Sequence, residues 1–497
     1  AADGGILTLD LAEGSRFEGK AVLDSGNDSQ STLTMAKNSL WTLTGNSQLN
    51  SLQNEQSVID MTGDNKAFST LSVETLTGNG GTIIMDIDGS QVDASDKIYV
   101  TGDFSGSQTL SLKEINGLDS DPGIGQAAEN TVLASVNGSG TFTADDQEGT
   151  LYWQRYELGQ KDSAASGYTT DWYLKGITNL NLPTTSVEAI AASGALAYHT
   201  WRDHDQLLQR LGDLRQHGRE EEGVWVRVKG GKLSRSDQFE FENKYTQYEL
   251  GYDQKLKSTP AYTRYAGISF SYLDGDSSYS SGSGENKVKA LNIYGTQIGA
   301  KGHYLDLVLK YSQLDNDFKV FDTSGNKITG DYDQNGLSIS AEYGRKNNLK
   351  NNWYIEPQAQ LTFGRLRGTD YTTSNGIRVD QDGIDSFVGR IGFNIGKDIN
   401  EKTNIYLKAN LMHEFGSGYN ASMVDASGTK ARLDRNFDDT WFEYGLGAAV
   451  QTGKNNYFYV DVEQCNCVFR NAGTDIFADC TVYIDLTRYG DSSCCKS

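Results

Sequence analysis

The sequence predicts an all-β fold in which a solenoid of short strands precedes a twelve-stranded antiparallel β-barrel that crosses a membrane. Short apolar–polar alternations broken by Gly, Asn and Asp fill residues 1 to about 115. Longer alternating segments follow from position 224, and the connections between them alternate between short and long. One stretch rich in helix formers, residues 184–216, separates the two patterns.

Composition is compatible with this fold. At 497 residues the chain is too long for one compact core, which predicts two or three units. Only 37% of residues are hydrophobic and the mean hydropathy is −0.54, values that a barrel with a wet lumen also gives, because its strands alternate polar with apolar residues. The 55 glycines and 4 prolines indicate many turns between unbroken strands.

Charge and export signals narrow the possible functions. The net charge of −22 and the pI near 4.7 argue against nucleic-acid binding, which needs a basic face. No apolar run is long enough for a transmembrane helix and no signal peptide opens the chain at Ala1, so we expect the export signal to lie upstream. All the cysteines lie at or beyond Cys465, and a cysteine-free stretch before them fits export through an oxidising compartment.

Residues 1 to about 115 are predicted to form the rungs of a solenoid, and residues 116–182 to close it. The alternating segments include Leu7–Leu11, Leu40–Thr44 and Ile83–Ile87. They recur in strand–turn units near 20 residues long, which indicates stacked rungs. A β-sandwich stays open from the pattern alone.

Residues 184–216 are predicted to be a helix. Thr185 and Glu188 have the form of a capping box, and Ala and Leu recur behind them. At ~1.5 Å per residue the segment is longer than the hydrocarbon core of a bilayer. Its charged residues include Arg202, Arg210, Asp213 and Arg215. A helix with these charges cannot lie in lipid, so a membrane-spanning position requires polar surroundings.

From residue 224 the segments are long enough to cross a membrane as strands. In residues 353–363 one face carries Trp353, Ile355, Pro357, Ala359, Leu361 and Phe363, and the other carries Glu356, Gln358 and Gln360. Twelve such segments start near residues 224, 242, 262, 286, 302, 334, 352, 384, 402, 438, 456 and 475. An even strand count, with short turns at one end and long loops at the other, is typical of an outer-membrane up-and-down barrel rather than a soluble sandwich.

Two further features of the barrel are predicted. The long loops are expected at residues 274–285, 316–333, 367–383 and 416–437. Aromatic girdles at the membrane interfaces are expected to include Tyr262, Tyr265, Trp353, Tyr354, Trp441, Phe442, Tyr457 and Tyr459.

Several motifs resemble one known family. In the barrel they are residues 223–227 (GVWVR), 354–361 (YIEPQAQL), 386–392 (SFVGRIG) and 413–415 (HEF); residues 210–215 (RLGDLR) and 95–102 (SDKIYVTG) precede them. In this order the motifs resemble the autotransporters of type V secretion, specifically the pertactin-like branch. The resemblance covers about residues 35–463.

The resemblance implies a fold and a division of the chain. The fold is a 12-stranded antiparallel transmembrane β-barrel plugged by one α-helix, preceded by the C-terminal rungs of a right-handed parallel β-helix. The implied domains are the passenger end with its autochaperone region at 1–182, a linker helix threading the barrel at 183–217, and the barrel at 218–497. Within the barrel, residues 464–497 are an atypical tail.

The resemblance also implies a function. The chain is expected to be an outer-membrane translocator that exports and displays its own N-terminal passenger. The alternative is a surface adhesin or autoaggregation factor whose passenger remnant is the binding module. The implied partners are outer-membrane lipid, the barrel-assembly machinery, periplasmic chaperones and a host-cell or cell–cell surface ligand, with no nucleic acid and a monomeric state. The barrel is expected in the cell outer membrane, with the passenger at the surface or secreted.

The C-terminal tail departs from the family pattern. The match ends after Glu463, whereas family members end on a strand whose last residue is usually Phe. We expect the tail to come from another reading frame, so that Val482, Ile484 and Leu486 close the barrel poorly. Translation of the encoding DNA in the other frames tests this expectation.

No catalytic, cofactor or metal site is predicted. All the histidines lie at or beyond His199, so residues 1–182 lack the His of a Ser–His–Asp triad and are not expected to be an enzyme. His199 and His204 are five residues apart, unlike the i, i+4 pair of a helical zinc site. The predicted site is a helix–lumen contact, for which the alternative is a generic wet wall. In it Arg202, Arg210, Asp213 and Arg215 face Glu356, Gln358 and Gln360 through charge-assisted hydrogen bonds.

Overall fold

A computed structural model describes residues 4–23, 28–63, 68–114, 128–202, 207, 223–236, 239–416, 418–451, 456–467 and 476–488. The chain divides into two compact units. The first comprises Ala1–Thr184 and Val424–Lys430, and the second comprises Thr185–Met423 and Ala431–Ser497. Over the described ranges, no helix is both long enough and apolar enough to cross a bilayer.

The described part of the first unit consists of strands. They are β1 (Ile6–Leu11), β2 (Arg16–Glu18), β3 (Gln30–Met35), β4 (Leu40–Thr42), β5 (Ser47–Asn54), β6 (Val58–Asp60), β7 (Thr70–Thr77), β8 (Asn79–Ile87), β9 (Lys97–Phe104), β10 (Ser107–Glu114), β11 (Val132–Gly138), β12 (Thr141–Ala144), β13 (Gln147–Glu148), β14 (Tyr152–Asp162) and β15 (Thr170–Pro183). Odd-numbered strands β1 to β11 pair in parallel in one sheet, and even-numbered strands β2 to β12 pair in parallel in the other. This alternation is that of a parallel β-helix, in which each rung gives one strand to each sheet.

Ladders of apolar side chains in register hold the rungs together. In the first sheet the paired positions run through Leu9, Leu33, Leu52, Leu76 and Phe104. In the second sheet they run through Phe17, Trp41, Ile59, Ile83 and Leu110. These residues belong to or pack against one continuous core. Because each rung buries its apolar face only against its neighbours, the alternation in residues 1–115 reports rung stacking and not a sandwich.

Antiparallel strands close the first unit. β15 pairs with β11 and with β14, and β14 pairs with β13. Trp172 and Leu174 of β15 are buried in the core. These strands belong to the segment 116–182 that was predicted to close the solenoid, of which residues 116–127 lie outside the described ranges. That division of the chain stays a prediction.

The second unit contains one described helix and the barrel strands. Its elements are α1 (Thr185–Trp201), β16 (Gly223–Arg235), β17 (Phe241–Ser258), β18 (Tyr262–Tyr279), β19 (Gly282–Gly299), β20 (His303–Phe321), β21 (Lys327–Arg345), β22 (Asn347–Asn348), a 3-10 turn (Lys350–Asn352), β23 (Trp353–Leu366), β24 (Thr369–Thr372), β25 (Arg378–Gln381), β26 (Ile384–Asn400), β27 (Thr403–Glu414), β28 (Gly418–Val424), β29 (Lys430–Asn436), β30 (Thr440–Gln451), β31 (Asn456–Cys467) and β32 (Ile476–Arg488). The described helix α1 covers Thr185–Trp201, the first part of the predicted segment. Of the remainder, most lies outside the described residues, and Leu207 is the one described residue between 203 and 222.

Twelve antiparallel strands close into a barrel. The order is β16, β17, β18, β19, β20, β21, β23, β26, β27, β30, β31 and β32, and the two-residue β22 is added at β23. β21 pairs with β23, and β32 pairs with both β31 and β16, so every one of these strands has two neighbours. The predicted strand count is therefore confirmed. β32 closes the barrel although it lies in the atypical tail; the proposed foreign origin of that tail stays a prediction.

The barrel wall is apolar outside and polar inside. On β23, Leu361 and Phe363 are 55% and 58% exposed, whereas Glu356 and Gln360 are 0% and 4% exposed. The same alternation appears on β20, where Leu305, Leu307 and Leu309 point outward. This arrangement places hydrocarbon outside and hydrogen-bonding groups in the lumen, as a membrane barrel requires.

Two of the four predicted long loops, 274–285 and 316–333, are wrong, because most of their residues extend barrel strands. β18 continues to Tyr279 and β20 to Phe321, and only short turns separate them from the strands that follow. The other two segments, 367–383 and 416–437, do connect barrel strands, and short strands within them form a small sheet in the order β24, β25, β28, β29. The sequence conceals these extensions because the outward residues turn polar beyond the apolar band, as at Asp274 and Asp276. The barrel thus has a short-turn end and a long-strand end.

Part of the predicted aromatic girdle is also wrong. Tyr265, Tyr354 and Tyr459 are buried on the lumen side of the wall, whereas Trp353 is exposed as predicted. The Tyr354 ring fills the space above a glycine of the neighbouring strand, where a Cβ at Gly396 would lie 2.4 Å from the ring. Such pairs lock adjacent strands together, and an alanine at the glycine would collide with the ring.

Candidate functional site: the barrel lumen and its helix

Helix α1 lies inside the barrel and is buried on all faces. Five of its 17 residues are Ala, which favours a helix and keeps it slender. The buried residues are Ser186, Val187, Ala189, Ile190, Ala191, Ala192, Ser193, Gly194, Ala195, Leu196, Ala197, Tyr198, His199, Thr200 and Trp201. A helix that is apolar all round needs an enclosing protein wall, and the barrel supplies it.

The N-terminus of α1 points to the long-strand end. The Asn375 side-chain amide, beside β25, donates a 3.0 Å hydrogen bond to Ser186 Oγ. Further along, the Leu207 amide N–H donates a 2.9 Å hydrogen bond to Glu342, three residues before β21 ends at the short-turn end. The chain therefore runs through the lumen from the long-strand end towards the short-turn end.

Aromatic side chains surround the first half of the helix. The hydroxyls of Ser193 and Tyr332 lie 2.8 Å apart in a hydrogen bond. Tyr332 stacks on Tyr371, with ring centroids 4.7 Å apart. Tyr419 lies so close to the helix that a Cβ at Gly194 would be 2.4 Å from its hydroxyl. Glycine is needed at this point of the helix because the wall leaves no room for a side chain.

Glu414 contacts the helix at its last turn. The Tyr198 hydroxyl donates a 2.7 Å hydrogen bond to Oε2 of this carboxylate, and Arg202 Nη1 lies 3.8 Å from the same oxygen. The wall fixes the carboxylate through Ser386 Oγ (2.9 Å) and the Phe387 amide (2.7 Å). Glu414 is fully buried, so the whole arrangement is shielded from water.

Glu342 is the second carboxylate that contacts the threaded chain. Besides the Leu207 amide, it accepts a hydrogen bond from the Tyr304 hydroxyl, and Arg390 Nη2 lies 3.2 Å from it. The Leu207 side chain packs in an apolar pocket with Trp225, Tyr294 and Tyr304. This region of the lumen therefore binds Leu207 in two ways. Its side chain packs in the apolar pocket, and its amide N–H donates to the Glu342 carboxylate.

The part of the lumen wall around Arg390 and Lys408, here called the lower lumen, contains two groups of polar and charged side chains. Arg390 donates hydrogen bonds of 2.9 Å to Gln358, Gln360 and Asn410. Lys408 forms ion pairs with Asp461, at 2.6 Å, and with Glu463. The Tyr406 and Tyr459 hydroxyls each donate a 2.6 Å hydrogen bond to Asp461. Buried charges of both signs compensate one another, which allows a polar lumen inside a membrane protein.

The predicted contact residues are only partly within the described structure. Arg202 lies in the lumen and pairs with Glu414, and its guanidinium lies 4.4 Å from the Trp441 ring centroid. Glu356, Gln358 and Gln360 face the lumen and are buried, and Gln358 and Gln360 bind Arg390 of the wall. Arg210, Asp213 and Arg215 lie outside the described residues. The pairing of these arginines with the β23 residues stays a prediction.

Sequence reasoning missed the residues that hold the described helix. Glu414 and Glu342 lie on inward positions of alternating strands, so the alternation of apolar and polar residues was a usable signal for both. Tyr332 and Tyr419 were hidden because they fall in segments that were expected to be loops. Among the described residues, no group of three or more His, Cys, Asp or Glu could hold a metal ion.

Comparison with known proteins identifies both parts of the chain. The model of the family described as "Autotransporter beta-domain" matches residues 224–463, and that described as "Pertactin" matches residues 49–176. The chain is 28% identical over 503 residues to the "Probable autotransporter YcgV" of Escherichia coli (strain K12), covering 93% of this chain and 51% of that protein. It is 28% identical over 520 residues to the "Pertactin autotransporter" of Bordetella bronchiseptica, covering 93% and 53%.

A third relative carries an enzymatic name. The chain is 26% identical over 436 residues to the "Serine protease pet autotransporter" of Escherichia coli O44:H18, covering 85% of this chain and 32% of that protein. The chain spans about half the length of the first two relatives, at 51% and 53%.

The fold and the lumen define a class of protein: an outer-membrane β-barrel that encloses a helix of its own chain. With both matched regions in the expected order, this chain belongs to the autotransporters, with a pertactin-like passenger end followed by a translocator β-domain. The family, the fold class and the outer-membrane location predicted from the sequence are confirmed.

Proposed function

We propose that this protein exports and displays its own N-terminal passenger across the outer membrane. The observation that carries the proposal is the continuity of the chain: β15 ends at Pro183 and α1 begins inside the lumen at Thr185. The N-terminus of α1 points towards the long-strand end, so the chain enters the helix from that end. The passenger therefore either passes through the lumen of the closed barrel, or the barrel strands close around the chain during export.

The two ends of the barrel support an assignment of direction. In outer-membrane barrels the short turns face the periplasm and the longer extensions face the outside. The long-strand end, with strands such as β20 and β21 of 19 residues, is accordingly extracellular. The passenger then lies at the cell surface and the end of the helix segment lies towards the periplasm.

The side chains of the lumen wall are compatible with passage of an unfolded chain and with later occupation of the lumen by helix α1. A hydrated, unfolded chain can move along the polar lower lumen because Glu342, Arg390 and Lys408 offer exchangeable hydrogen bonds. The aromatic upper lumen around Tyr332 and Tyr419 binds the slender helix after passage. We propose that α1 is the retained plug, within a domain division at 1–182, 183–217 and 218–497.

The activity of the exported part is a separate matter. We propose that residues 1–182 have a structural role and no catalytic one, since the His required for a serine-protease triad is absent from them. The serine-protease names belong to relatives whose greater length lies outside this chain. The adhesin alternative, the barrel-assembly machinery, the periplasmic chaperones and a surface ligand remain proposals that the upstream sequence and binding assays address.

Protease accessibility on intact cells tests the export. The chain is expressed behind a signal peptide in a Gram-negative host, and the cells are treated with proteinase K before or after outer-membrane permeabilisation. We expect loss of an epitope in residues 1–182 from intact cells, while the barrel remains heat-modifiable on a gel. A heat-modifiable barrel whose passenger is digested only after permeabilisation would refute the proposal.

A further inference from the structure

The lipid-facing surface of the barrel contains an apolar groove. Its volume is about 510 Å³, and it crosses five strands, from Leu305 on β20 to Leu411 on β27. Across most of the belt, outward positions carry bulky side chains such as Leu307 and Phe363. The groove forms where that pattern is interrupted.

Small residues form the floor of the groove and large ones form its sides. Ala341, Ala359 and Gly389 line it on three successive strands, β21, β23 and β26. Register places Tyr343 opposite Ala359, and Ala359 opposite Ile391. The groove therefore follows the hydrogen-bonding direction across the strands and not one strand axis. Its span is four strand spacings, roughly 19 Å. It runs from Leu305 and Tyr343, near the short-turn ends of their strands, to His413 at the other end of β27.

One end of the groove is polar and lies near the extracellular edge of the belt. His413 occupies the last outward position of β27, and its Nδ1 is 2.7 Å from Thr440 Oγ1. The His413 ring packs edge-on against Phe415, with centroids 4.4 Å apart. Phe415 in turn covers Gly389, since a Cβ there would lie 2.9 Å from the Phe415 ring. Phe415 and His413 thus place an aromatic ring and a hydrogen-bonding side chain at this end of the groove, an arrangement suited to the ester region of a lipid.

We propose that this groove is a specific binding site for one acyl chain of an outer-leaflet glycolipid, with its head group at His413 and Phe415. The groove is continuous with the apolar belt that already contacts membrane lipid, so hydrocarbon is what covers it. A chain lying across five strands contacts more protein surface than a chain standing beside a flat wall, and the added dispersion contact slows its exchange. The head group belongs to the outer leaflet because His413 lies at the extracellular end of β27.

The groove can be filled without disturbing the barrel interior. Ala359→Leu places a larger side chain on the floor at an outward position of β23. Ala266→Leu is the matched control, because Ala266 also faces outward, on β18, and does not line the groove. Heat-modifiability of each variant establishes that its barrel is folded.

Native mass spectrometry of the full chain tests the site, with purified lipid A and, separately, phosphatidylethanolamine added to the detergent. We expect the wild type and Ala266→Leu to keep one lipid A at a collision voltage that strips phosphatidylethanolamine. Ala359→Leu should keep at least tenfold less. Equal lipid A retention by the Ala359→Leu and wild-type proteins would overturn the site. Preferential retention of phosphatidylethanolamine would overturn the assignment to the outer leaflet. The leaflet assignment rests on the extracellular position of the long-strand end, which is part of the proposed function. Protease accessibility tests export separately, so a failure of the lipid site and a failure of export are distinguishable.

Discussion

The Tyr198 hydroxyl of the helix donates a 2.7 Å hydrogen bond to Glu414 of the barrel wall, across 216 residues of sequence. The wall contributes two further partners of this carboxylate, Ser386 Oγ and the Phe387 amide. Arg202 Nη1 lies 3.8 Å from the same carboxylate. Because the contact joins the wall to the helix, we expect Glu414 to retain the helix in the lumen.

Neutralising Glu414 should loosen the helix. In Glu414→Gln, Arg202 loses its carboxylate partner. The new side-chain NH2 group also replaces an oxygen that accepts a hydrogen bond from Tyr198, Ser386 or Phe387, so two donors face each other. A buried donor left without an acceptor costs about 1–3 kcal/mol, and 1.4 kcal/mol corresponds to a tenfold shift in occupancy. In planar bilayers we expect open-pore events to rise roughly tenfold. Glu285→Gln, an exposed change on β19, should leave conductance unchanged. Unaltered conductance in Glu414→Gln would show that Glu414 does not retain the helix.

A larger side chain at position 194 should displace the helix from its contact with Tyr419. Any Cβ at this position approaches the Tyr419 hydroxyl to 2.4 Å, and overpacking of this kind costs about 1–3 kcal/mol. We expect Gly194→Val to lower the temperature at which the barrel unfolds on a gel. Adding Tyr419→Ala opens the space and should restore much of the loss. Equal, additive losses from the two changes would mean that these residues do not meet.

Removing Lys408 should destabilise the barrel itself. Its ion pairs with Asp461 and Glu463 are buried, and breaking a buried pair from one side costs about 3–5 kcal/mol. For a chain of this size each kcal/mol shifts the midpoint by roughly 2–4 °C. Lys408→Met should therefore lower the unfolding temperature by about 6–20 °C. Lys289→Met, which changes an exposed lysine on β19, should leave the midpoint in place. A midpoint for Lys408→Met equal to that of the wild type would rule out a stabilising role for the pair.

The passenger should lose stability as the pH rises towards neutrality. Asp96 accepts hydrogen bonds from the Ser69 amide (2.6 Å) and the Asp86 amide (2.7 Å), and burial raises its pKa from 3.8 to about 7. Between these values the folded state binds more protons than the unfolded state, so the free energy of unfolding falls as the pH rises. The stabilisation is complete below 3.8 and lost through about 7. The expected change is up to about 4 kcal/mol.

Pulse proteolysis of residues 1–182 in urea, on the full chain at pH 4, 5.5 and 7.5, measures this dependence. The urea midpoint should fall with each step in pH for the wild type. In Asp96→Asn, which cannot titrate, the slope should flatten. A wild-type midpoint that rises over the same range would show that the carboxylate is ionised in the folded state.

Much of the barrel follows from the sequence because its strands obey a simple period. The alternation in residues 353–363 places Glu356, Gln358 and Gln360 in the lumen, and the structure has them there. The same period fails as a guide where the outward face turns polar, at Asp274 and Asp276, and the strand extensions are then misjudged as loops. A rule based on apolar faces detects only the portion of a strand that lies in lipid.

The helix contacts depend on information that the sequence does not display. The sequence predicts a charged helix against a polar wall, yet the described part, Thr185–Trp201, is rich in apolar residues. It packs against aromatic residues, and its Tyr198 also binds a wall carboxylate. The seat at Gly194 requires the register that brings Tyr419 to it from more than two hundred positions away. Register over such separations is set by strand pairing around the whole barrel, which local patterns do not specify.

Photo-crosslinking from position 198 tests whether helix α1 is held in the lumen. Tyr198 is replaced by p-benzoylphenylalanine in the full chain, and intact cells are irradiated before the protein is digested and its cross-linked peptides are sequenced. We expect an intramolecular cross-link from the helix to peptides that contain Glu414 or Phe437, two residues whose side chains contact Tyr198. A folded, heat-modifiable barrel whose position 198 cross-links only to lipid or to other proteins would contradict a helix held in the lumen.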